Sequence, residues 1–227
     1  MKLYKLFLGL FIVLTFINCD EKSSEKQKTT SVKKKQLEKV IQRPWDSLNK
    51  KNVHAFFTEY GKQNKETKVI IKTDFGNIKL KLYNDTPIHR ANFIFLTKIG
   101  YFTNTVFYRV AKNFVIQGGD SEDFQKSKVR YKYKNYFIAP EFRKNRKHKY
   151  GALASAREWE NNPNKLSTPF EFYIIQNRNG AHHLNNEHTV FGEVISGFKT
   201  IDKIANVKIG PGEWPINDVI MKVEIIE

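Results

Sequence analysis

The feature that most constrains the fold is a recurring two-residue alternation of apolar side chains in short segments after residue 67. Apolar residues stand at positions 69 and 71, and at positions 78, 80 and 82, where Lys79 and Lys81 separate them. Successive side chains of a β-strand point to opposite faces, so each segment has one apolar face. Residues 74–77, Asp-Phe-Gly-Asn, have the composition of a tight turn and stand between the two segments. The pattern predicts a β-hairpin.

Later parts of this region carry the same kind of short apolar segment. Further strands are predicted at residues 106–110, 115–118, 152–156, 170–175, 190–194 and 219–226. Thr86-Pro87 has the composition of a helix start, and Gly100 ends a helix that runs to about Ile99. A second, short helix is predicted near residues 198–205. Eight short strands with two helices predict a mainly β fold, a closed antiparallel barrel capped by the helices.

The amino terminus has the composition of an export signal. Lys2 and Lys5 precede a twelve-residue apolar run, residues 6–17, which is too short to cross a hydrocarbon core of ~30 Å as a helix. Cys19, the single cysteine, follows directly, and one cysteine excludes a disulfide framework. Residues 1–18 resemble a bacterial lipoprotein signal, in which Cys19 becomes the lipidated first residue. A free thiol after a plain export signal stays open as the alternative, because Asn18 stands where such signals usually carry Gly, Ala or Ser.

Residues 19–66 separate this signal from the predicted barrel. Residues 20–36 are polar and charged, which predicts a flexible tether. Apolar residues return over residues 37–60, which favours one or two short helices that dock on the domain. The chain therefore divides into a signal peptide (1–18), a lipid-anchored tether with a short helical extension (19–66) and a compact domain (67–227). Such a protein is expected at the bacterial cell envelope.

The net charge of +16 has one main source within the compact domain. Residues 126–149 hold ten Lys and Arg and only Glu141, a net charge of +9. The domain as a whole holds 25 basic and 16 acidic residues, also +9, so its remainder is neutral. Four tyrosines lie in or beside this basic stretch, a pattern that nucleic-acid-binding surfaces share. Export disfavours nucleic acid as the partner, which leaves a solvated loop or attraction to anionic lipid headgroups.

One stretch carries most of the functional information. It comprises Phe107-Tyr108-Arg109-Val110 and, after three residues, Phe114-Val115-Ile116-Gln117-Gly118-Gly119-Asp120. This stretch resembles the hallmark segment of the cyclophilin family of peptidyl-prolyl cis–trans isomerases. Residues 151–157, 172–174 and 184–192 match later segments of that family in order and spacing. The resemblance covers residues 69–227 and implies the eight-stranded cyclophilin barrel.

The resemblance also implies roles for individual side chains. Arg109 would be the catalytic hydrogen-bond donor, and Gln117 would bind the backbone of the substrate. Phe114, Val115, Tyr173 and Leu184 would form the proline pocket, with His188 at its edge. Ala156 and Arg157 would line the peptide groove beside Glu171 and His183. As the structural alternative, Phe114, Val115 and Tyr173 would simply belong to the barrel core, and His188 would have only a structural role.

Several positions depart from the family pattern. Val115 stands where many members have Met, and His183 stands where Trp is usual. Glu171 replaces a common Gln, so that it could pair with Arg109 or Arg157, or compete with the peptide for Arg109. If it sequesters Arg109, Glu171→Gln would raise catalysis. The Gly-rich segment that usually follows the Gln-Gly-Gly-Asp motif is replaced by the basic residues 126–135.

Two functions of different class are consistent with these residues. The first is a prolyl isomerase that assists the folding of exported chains, and the second is a binding module for proline-containing peptides with little catalysis. Neither needs a metal or a cofactor, because X-Pro rotation breaks no covalent bond. A metal site at His182, His183 and His188 is a third, weaker alternative. The expected partners are proline-containing polypeptides, and the protein is expected to be monomeric.

Overall fold

The computed structural model describes residues 48–121, 123–133 and 136–226, which belong to one compact unit that starts at Leu48. The predicted signal peptide (1–18), Cys19 and the predicted tether (20–36) lie outside the described residues. The helices are α1 (Val53–Gln63), α2 (Pro87–Lys98), α3 (Phe124–Tyr133) and α4 (Phe198–Ile204), with 3-10 turns at His182–Leu184 and Pro211–Glu213. The strands are β1 (Lys68–Thr73), β2 (Gly76–Leu82), β3 (Thr105–Val106), β4 (Arg109–Ala111), β5 (Val115–Gly118), β6 (Ala152–Ser155), β7 (Phe172–Ile175), β8 (Val190–Ser196) and β9 (Ile220–Ile225). None of the described helices is long and apolar enough to cross a membrane.

The nine described strands form one antiparallel sheet in the order β3-β9-β1-β2-β8-β6-β7-β5-β4. The two strands at its ends, β3 and β4, are separated in the chain by only Phe107 and Tyr108. Because two residues can span only a few ångströms, the two edges of the sheet must approach each other. The sheet therefore curls into a half-barrel.

This architecture confirms a mainly β, antiparallel, barrel-like fold and corrects its details. The described residues contain nine strands rather than eight, because the segment predicted as one strand at residues 106–110 is divided. Its first part pairs with β9 and its second with β5. The barrel is half-closed, and the described residues contain four α-helices rather than two. The basic stretch after Asp120, predicted as a loop, begins with α3.

The predicted hairpin is present with its turn at Asp74 and Phe75. Thr73 pairs with Gly76, and the Thr73 hydroxyl accepts a hydrogen bond from the Phe75 backbone N–H at 3.1 Å. Gly76 adopts φ +125°, and a Cβ there would lie 2.7 Å from Thr200 Oγ1 of α4. Position 76 therefore requires glycine both for its backbone conformation and for the approach of α4.

Helix α2 begins at Pro87, as predicted, but its cap comes from elsewhere. The Thr86 side chain makes no capping hydrogen bond. The Glu141 carboxylate instead accepts hydrogen bonds from the backbone N–H groups of Ile88 (3.2 Å) and His89 (2.9 Å), and it contacts His89 Nδ1 at 2.6 Å. An anion at a helix amino terminus satisfies free N–H groups and complements the helix dipole. Glu141, the single acidic residue of the basic stretch, thus fixes the start of α2.

Candidate active site

Three neighbouring strands place a row of functional side chains on one face of the sheet. Arg109 of β4 lies opposite Gln117 of β5, and Gln117 lies opposite Tyr173 of β7. Directly opposed residues of an antiparallel pair point to the same face. Arg109, Gln117 and Tyr173 therefore line one surface, although they are distant in sequence.

This surface is one wall of an open groove of about 420 Å³. The groove contains every residue predicted for catalysis or substrate binding except Glu171. Its lining residues are Arg109, Phe114, Val115, Gln117, Ala156, Arg157, Trp159, Tyr173, His183, Leu184 and His188. Trp159 is the lining residue that sequence reasoning missed, because it stands in an irregular segment after the 151–157 motif and belongs to none of the motifs.

The floor of the groove is apolar. Val115, Tyr173 and Leu184 are buried in one hydrophobic cluster, and Phe114 packs against that cluster while it remains partly exposed. Asn113, in the left-handed conformation at φ 59°, makes the turn that brings Phe114 into this position. The His183 ring stacks on Phe114 at 5.7 Å between ring centroids. A small ring can therefore be enclosed between aromatic and aliphatic side chains.

Two histidines lie beside this floor in neutral form. His188 Nδ1 is 3.0 Å from the Ser155 carbonyl oxygen, which can only accept, so this nitrogen carries the proton. His148 is fully buried, with Nδ1 3.0 Å from Asn185 Oδ1 and Nε2 3.0 Å from the Tyr173 hydroxyl. Burial is the main cause that lowers the pKa of each histidine to about 4. The Nε2 atom of neutral His148 therefore accepts a hydrogen bond from the Tyr173 hydroxyl, and this bond fixes the position of Tyr173 in the floor.

Acidification is expected to destabilise the folded protein through these histidines. Their pKa of about 4 in the folded state lies below about 6.5 in the unfolded state, so unfolding takes up protons between these values. The free energy of unfolding therefore falls as the pH falls from about 6.5 towards about 4. Thermal melts at several pH values measure this slope, which His148→Gln should reduce. A slope that is unchanged in His148→Gln would contradict the assignment.

Arg109 has two partners at the rim of the groove. Its Nη1 is 3.4 Å from Gln117 Oε1, and its Nη2 forms an ion pair with Glu213 Oε2 at 2.7 Å. Glu213 ends the 3-10 turn before β9 and adopts φ 65°, an uncommon conformation for a residue with a side chain. Sequence reasoning missed this partner, since no motif covers the loop from which it comes.

Glu171 does not occupy the position expected of it. Its carboxylate accepts a hydrogen bond from the Tyr108 hydroxyl at 2.9 Å and forms an ion pair with Arg130 at 2.7 Å. Both oxygens are thus engaged away from Arg109 and Arg157, so the expected pairing with either arginine is wrong. The hypothesis that Glu171 sequesters Arg109 has no geometric basis, because that contact belongs to Glu213.

The opposite wall of the groove is held by Arg157. Its side chain is almost fully buried, donates from Nη2 to Glu187 Oε2 at 2.7 Å and lies 4.1 Å from the centroid of the Trp159 ring. The indole also contacts His188 edge-on, with ring centroids 5.1 Å apart. Ala156, next to Arg157, donates its backbone N–H to the Glu171 carbonyl at 3.1 Å. Among the residues that the structure describes, no group of three or more His, Cys, Asp or Glu side chains is placed to hold a metal ion.

A curled antiparallel sheet with an arginine at the rim of an apolar groove defines a class of protein. The family model for the cyclophilin type peptidyl-prolyl cis-trans isomerase matches residues 68–225, most of the chain. The protein therefore belongs to the cyclophilin-type peptidyl-prolyl cis–trans isomerases.

Individual relatives agree with this assignment. A Staphylococcus aureus protein assigned as a peptidyl-prolyl cis-trans isomerase is 30% identical over 187 residues, which cover 70% of this chain and 91% of that protein. A peptidyl-prolyl cis-trans isomerase of Acinetobacter baylyi is 36% identical over 143 residues, 62% of this chain and 73% of that protein.

Solved structures show the same likeness. A cyclophilin-type isomerase from Cryptosporidium parvum superimposes with a TM-score of 0.61 at 27% identity, covering 71% of this chain and 98% of that one. A second crystal structure of that protein, determined in the presence of the dipeptide Ala-Pro, has a TM-score of 0.58 and covers 70% of this chain and 99% of that one.

Proposed function

We propose that the groove accelerates the rotation of X-Pro bonds with Arg109 as the hydrogen-bond donor. The observation that carries this proposal is the position of Arg109, whose guanidinium lies 6.0 Å from the centroid of the Phe114 ring at the edge of the apolar floor. A proline ring enclosed by Phe114, Val115, Tyr173 and Leu184 would place its amide beside this guanidinium. The structure of the related Cryptosporidium parvum protein determined in the presence of the dipeptide Ala-Pro is in keeping with such an occupant.

The chemistry needs only binding and electrostatics. Amide resonance opposes rotation with a barrier of ~18–20 kcal/mol, and uncatalysed exchange takes tens to hundreds of seconds. As the amide twists, its nitrogen regains a lone pair and becomes a better acceptor, so a fixed donor stabilises the twisted state more than the planar one. A guanidinium remains charged throughout and is suited to this role. Gln117 would bind the substrate backbone, while the walls hold the chain as the carbonyl rotates.

Exchange spectroscopy by NMR tests this function. The chain from residue 20 to the end is added to an Ala-Pro peptide, and the cis–trans exchange rate is measured. Faster exchange with unchanged cis and trans populations supports catalysis. A shift in populations without faster interconversion would instead identify a peptide binder.

The second candidate, a peptide-binding module with weak catalysis, is favoured by one contact. The Glu213 carboxylate neutralises the Arg109 guanidinium and occupies Nη2, so substrate must compete for that donor. The Arg109 side chain is 33% exposed and the Glu213 side chain is 43% exposed. An ion pair between such exposed side chains contributes about 0.2–1 kcal/mol. The contact would therefore reduce the rate acceleration that Arg109 provides without abolishing it.

Glu213→Gln is accordingly expected to raise kcat/KM for an Ala-Pro peptide by about two- to fivefold, because it removes the competing anion. Glu224→Gln, which breaks ion pairs with Lys72 of β1 and Lys222 of β9 and does not line the groove, is the matched control. A fall in kcat/KM in Glu213→Gln would show that the anion orients Arg109 rather than attenuating it.

We further propose that the substrates are proline-containing segments of exported proteins and that the chain is anchored at a bacterial envelope through lipid at Cys19. The sequence of residues 1–36 supports this, with its charged start, apolar run, cysteine and polar tether. Expression in a bacterial host is expected to give a membrane-associated protein that incorporates labelled fatty acid. Cys19→Ser should abolish the label, whereas Asn18→Gly should retain it, and label that persists in Cys19→Ser would refute the anchor.

A further inference from the structure

Arg130 of helix α3, which lies in the basic stretch, contacts residues next to the active site. Arg130 forms ion pairs with Asp120 and with Glu171 Oε1, the latter at 2.7 Å. Its guanidinium also lies 5.7 Å from the centroid of the Phe170 ring. One basic residue of this stretch is therefore held against the sheet by two carboxylates and an aromatic ring, which a purely solvated loop would not require.

From Glu171 a chain of hydrogen bonds continues to Arg109. The Tyr108 hydroxyl donates to Glu171 Oε2 at 2.9 Å. Gln117 Nε2 donates to the oxygen of the same hydroxyl, and Gln117 Oε1 accepts from Arg109 Nη1 at 3.4 Å. Asp120, Arg130, Glu171, Tyr108, Gln117 and Arg109 thus form one continuous polar network.

The charged groups at the two ends of this network determine which group donates and which accepts in each of its hydrogen bonds. A carboxylate can only accept and a guanidinium can only donate. Burial, with the nearby charge of Glu171 in addition, raises the pKa of Tyr108, which therefore remains a neutral donor. Because its single proton goes to Glu171, its oxygen must accept from Gln117 Nε2. The Gln117 carbonyl oxygen then necessarily faces Arg109.

We propose that Glu171 and Tyr108 are positioning residues that fix the orientation of Gln117 and, through it, of Arg109, with Arg130 as their anchor in α3. This inference rests on the proposed role of Arg109 in catalysis. It assigns a task to two features that the proline pocket leaves unexplained, the carboxylate at position 171 and the basic segment after Asp120.

The network explains why position 171 carries a carboxylate rather than an amide. Arg130 and Tyr108 bind different oxygens of Glu171, and glutamine has an oxygen at only one of these two positions, so in the same orientation it cannot accept from both. If that oxygen faces Arg130, the amide N–H donates to Tyr108, which must then donate to Gln117. Gln117 would have to turn its oxygen to Tyr108 and its NH₂ group to Arg109, where two donors meet. Glu171→Gln is therefore expected to weaken catalysis.

Two isosteric variants test the proposal, Tyr108→Phe and Glu171→Gln, measured as kcat and KM on an Ala-Pro peptide. Each is expected to lower kcat by about three- to tenfold, because the lost hydrogen bonds orient Arg109, and to raise KM by a smaller factor, because Gln117, the proposed ligand of the substrate backbone, loses its fixed orientation as well. The double variant should be no slower than the slower single variant, because Glu171 acts through Tyr108. Arg130→Lys should retain more activity than Arg130→Met.

Matched controls are available elsewhere on the sheet. Tyr150→Phe removes a hydroxyl beside Phe198, and Glu193→Gln weakens a surface ion pair with Lys149, so neither should alter kcat. An unchanged kcat in Tyr108→Phe and Glu171→Gln, or strictly additive losses in the double variant, would overturn the inference. Arg109→Ala distinguishes failure of the proposed role of Arg109 from failure of the positioning network. If Arg109→Ala is fully active, the proposed role of Arg109 fails and the network has no catalytic donor to position, whereas an inactive Arg109→Ala beside a fully active Tyr108→Phe rejects only the positioning network.

Discussion

Arg109→Ala is expected to lower kcat/KM for X-Pro exchange by roughly 10- to 100-fold while the protein remains folded. A hydrogen bond from a charged donor is worth about 1.5–3 kcal/mol, and each 1.36 kcal/mol corresponds to a tenfold change in rate. The side chain is partly exposed at the rim of the groove, so its removal leaves no buried cavity. The measurement is NMR exchange on an Ala-Pro peptide, with a thermal melt to verify folding.

Two further variants sharpen this expectation. Arg109→Lys keeps the charge but replaces the planar guanidinium with a single ammonium, which cannot contact Gln117, Glu213 and substrate in the same geometry. It should therefore recover little of the lost rate. Arg178→Ala is the control, since this arginine pairs with Asp202 beside α4. Full activity in Arg109→Ala would remove the guanidinium from the mechanism and leave enclosure of the proline ring as the source of any acceleration.

The groove could be predicted from the sequence to the extent that its residues lie in recognisable motifs. Arg109, Gln117 and Tyr173 come from three segments, and the antiparallel pairing of β4, β5 and β7 brings them into one row. The apolar alternation also predicted the sheet, because burial of one face fixes the register of each strand. Resemblance to the family motifs was therefore sufficient wherever backbone pairing alone positions the side chain.

The contacts that surround Arg109 could not be predicted in this way. Glu213 reaches it from a loop whose position depends on how the chain returns to β9, and Arg130 reaches Glu171 across 41 residues of sequence. Charge alone made Arg109 and Arg157 the candidate partners for Glu171, yet the tertiary structure supplies a different cation, Arg130, for that carboxylate. The division of residues 106–110 into β3 and β4 likewise follows from closure of the sheet, which no local signal encodes.

The helix α1 is expected to contribute strongly to stability although it lies outside the sheet. Phe57 is fully buried, with its ring centroid 5.8 Å from those of both Phe95 and Tyr136. Arg90 of α2 donates to the Gly61 carbonyl at 3.0 Å and the Asn64 carbonyl at 2.7 Å, and so satisfies the carboxyl end of α1. The compact unit therefore includes this helix as well as the sheet that begins at Lys68.

Phe57→Ala should accordingly lower the free energy of unfolding by about 3–5 kcal/mol, the range for truncation of a buried phenylalanine. In a unit of this size that corresponds to a fall in Tm of roughly 6–20 °C. Phe124→Ala, at a side chain that is 70% exposed on α3, is the matched control and should leave Tm nearly unchanged. Since Phe57 does not line the groove, kcat/KM at a temperature well below the transition should be preserved. Equal melting of Phe57→Ala and the unchanged chain would mean that the sheet is stable without α1, and the compact unit would then begin at Lys68.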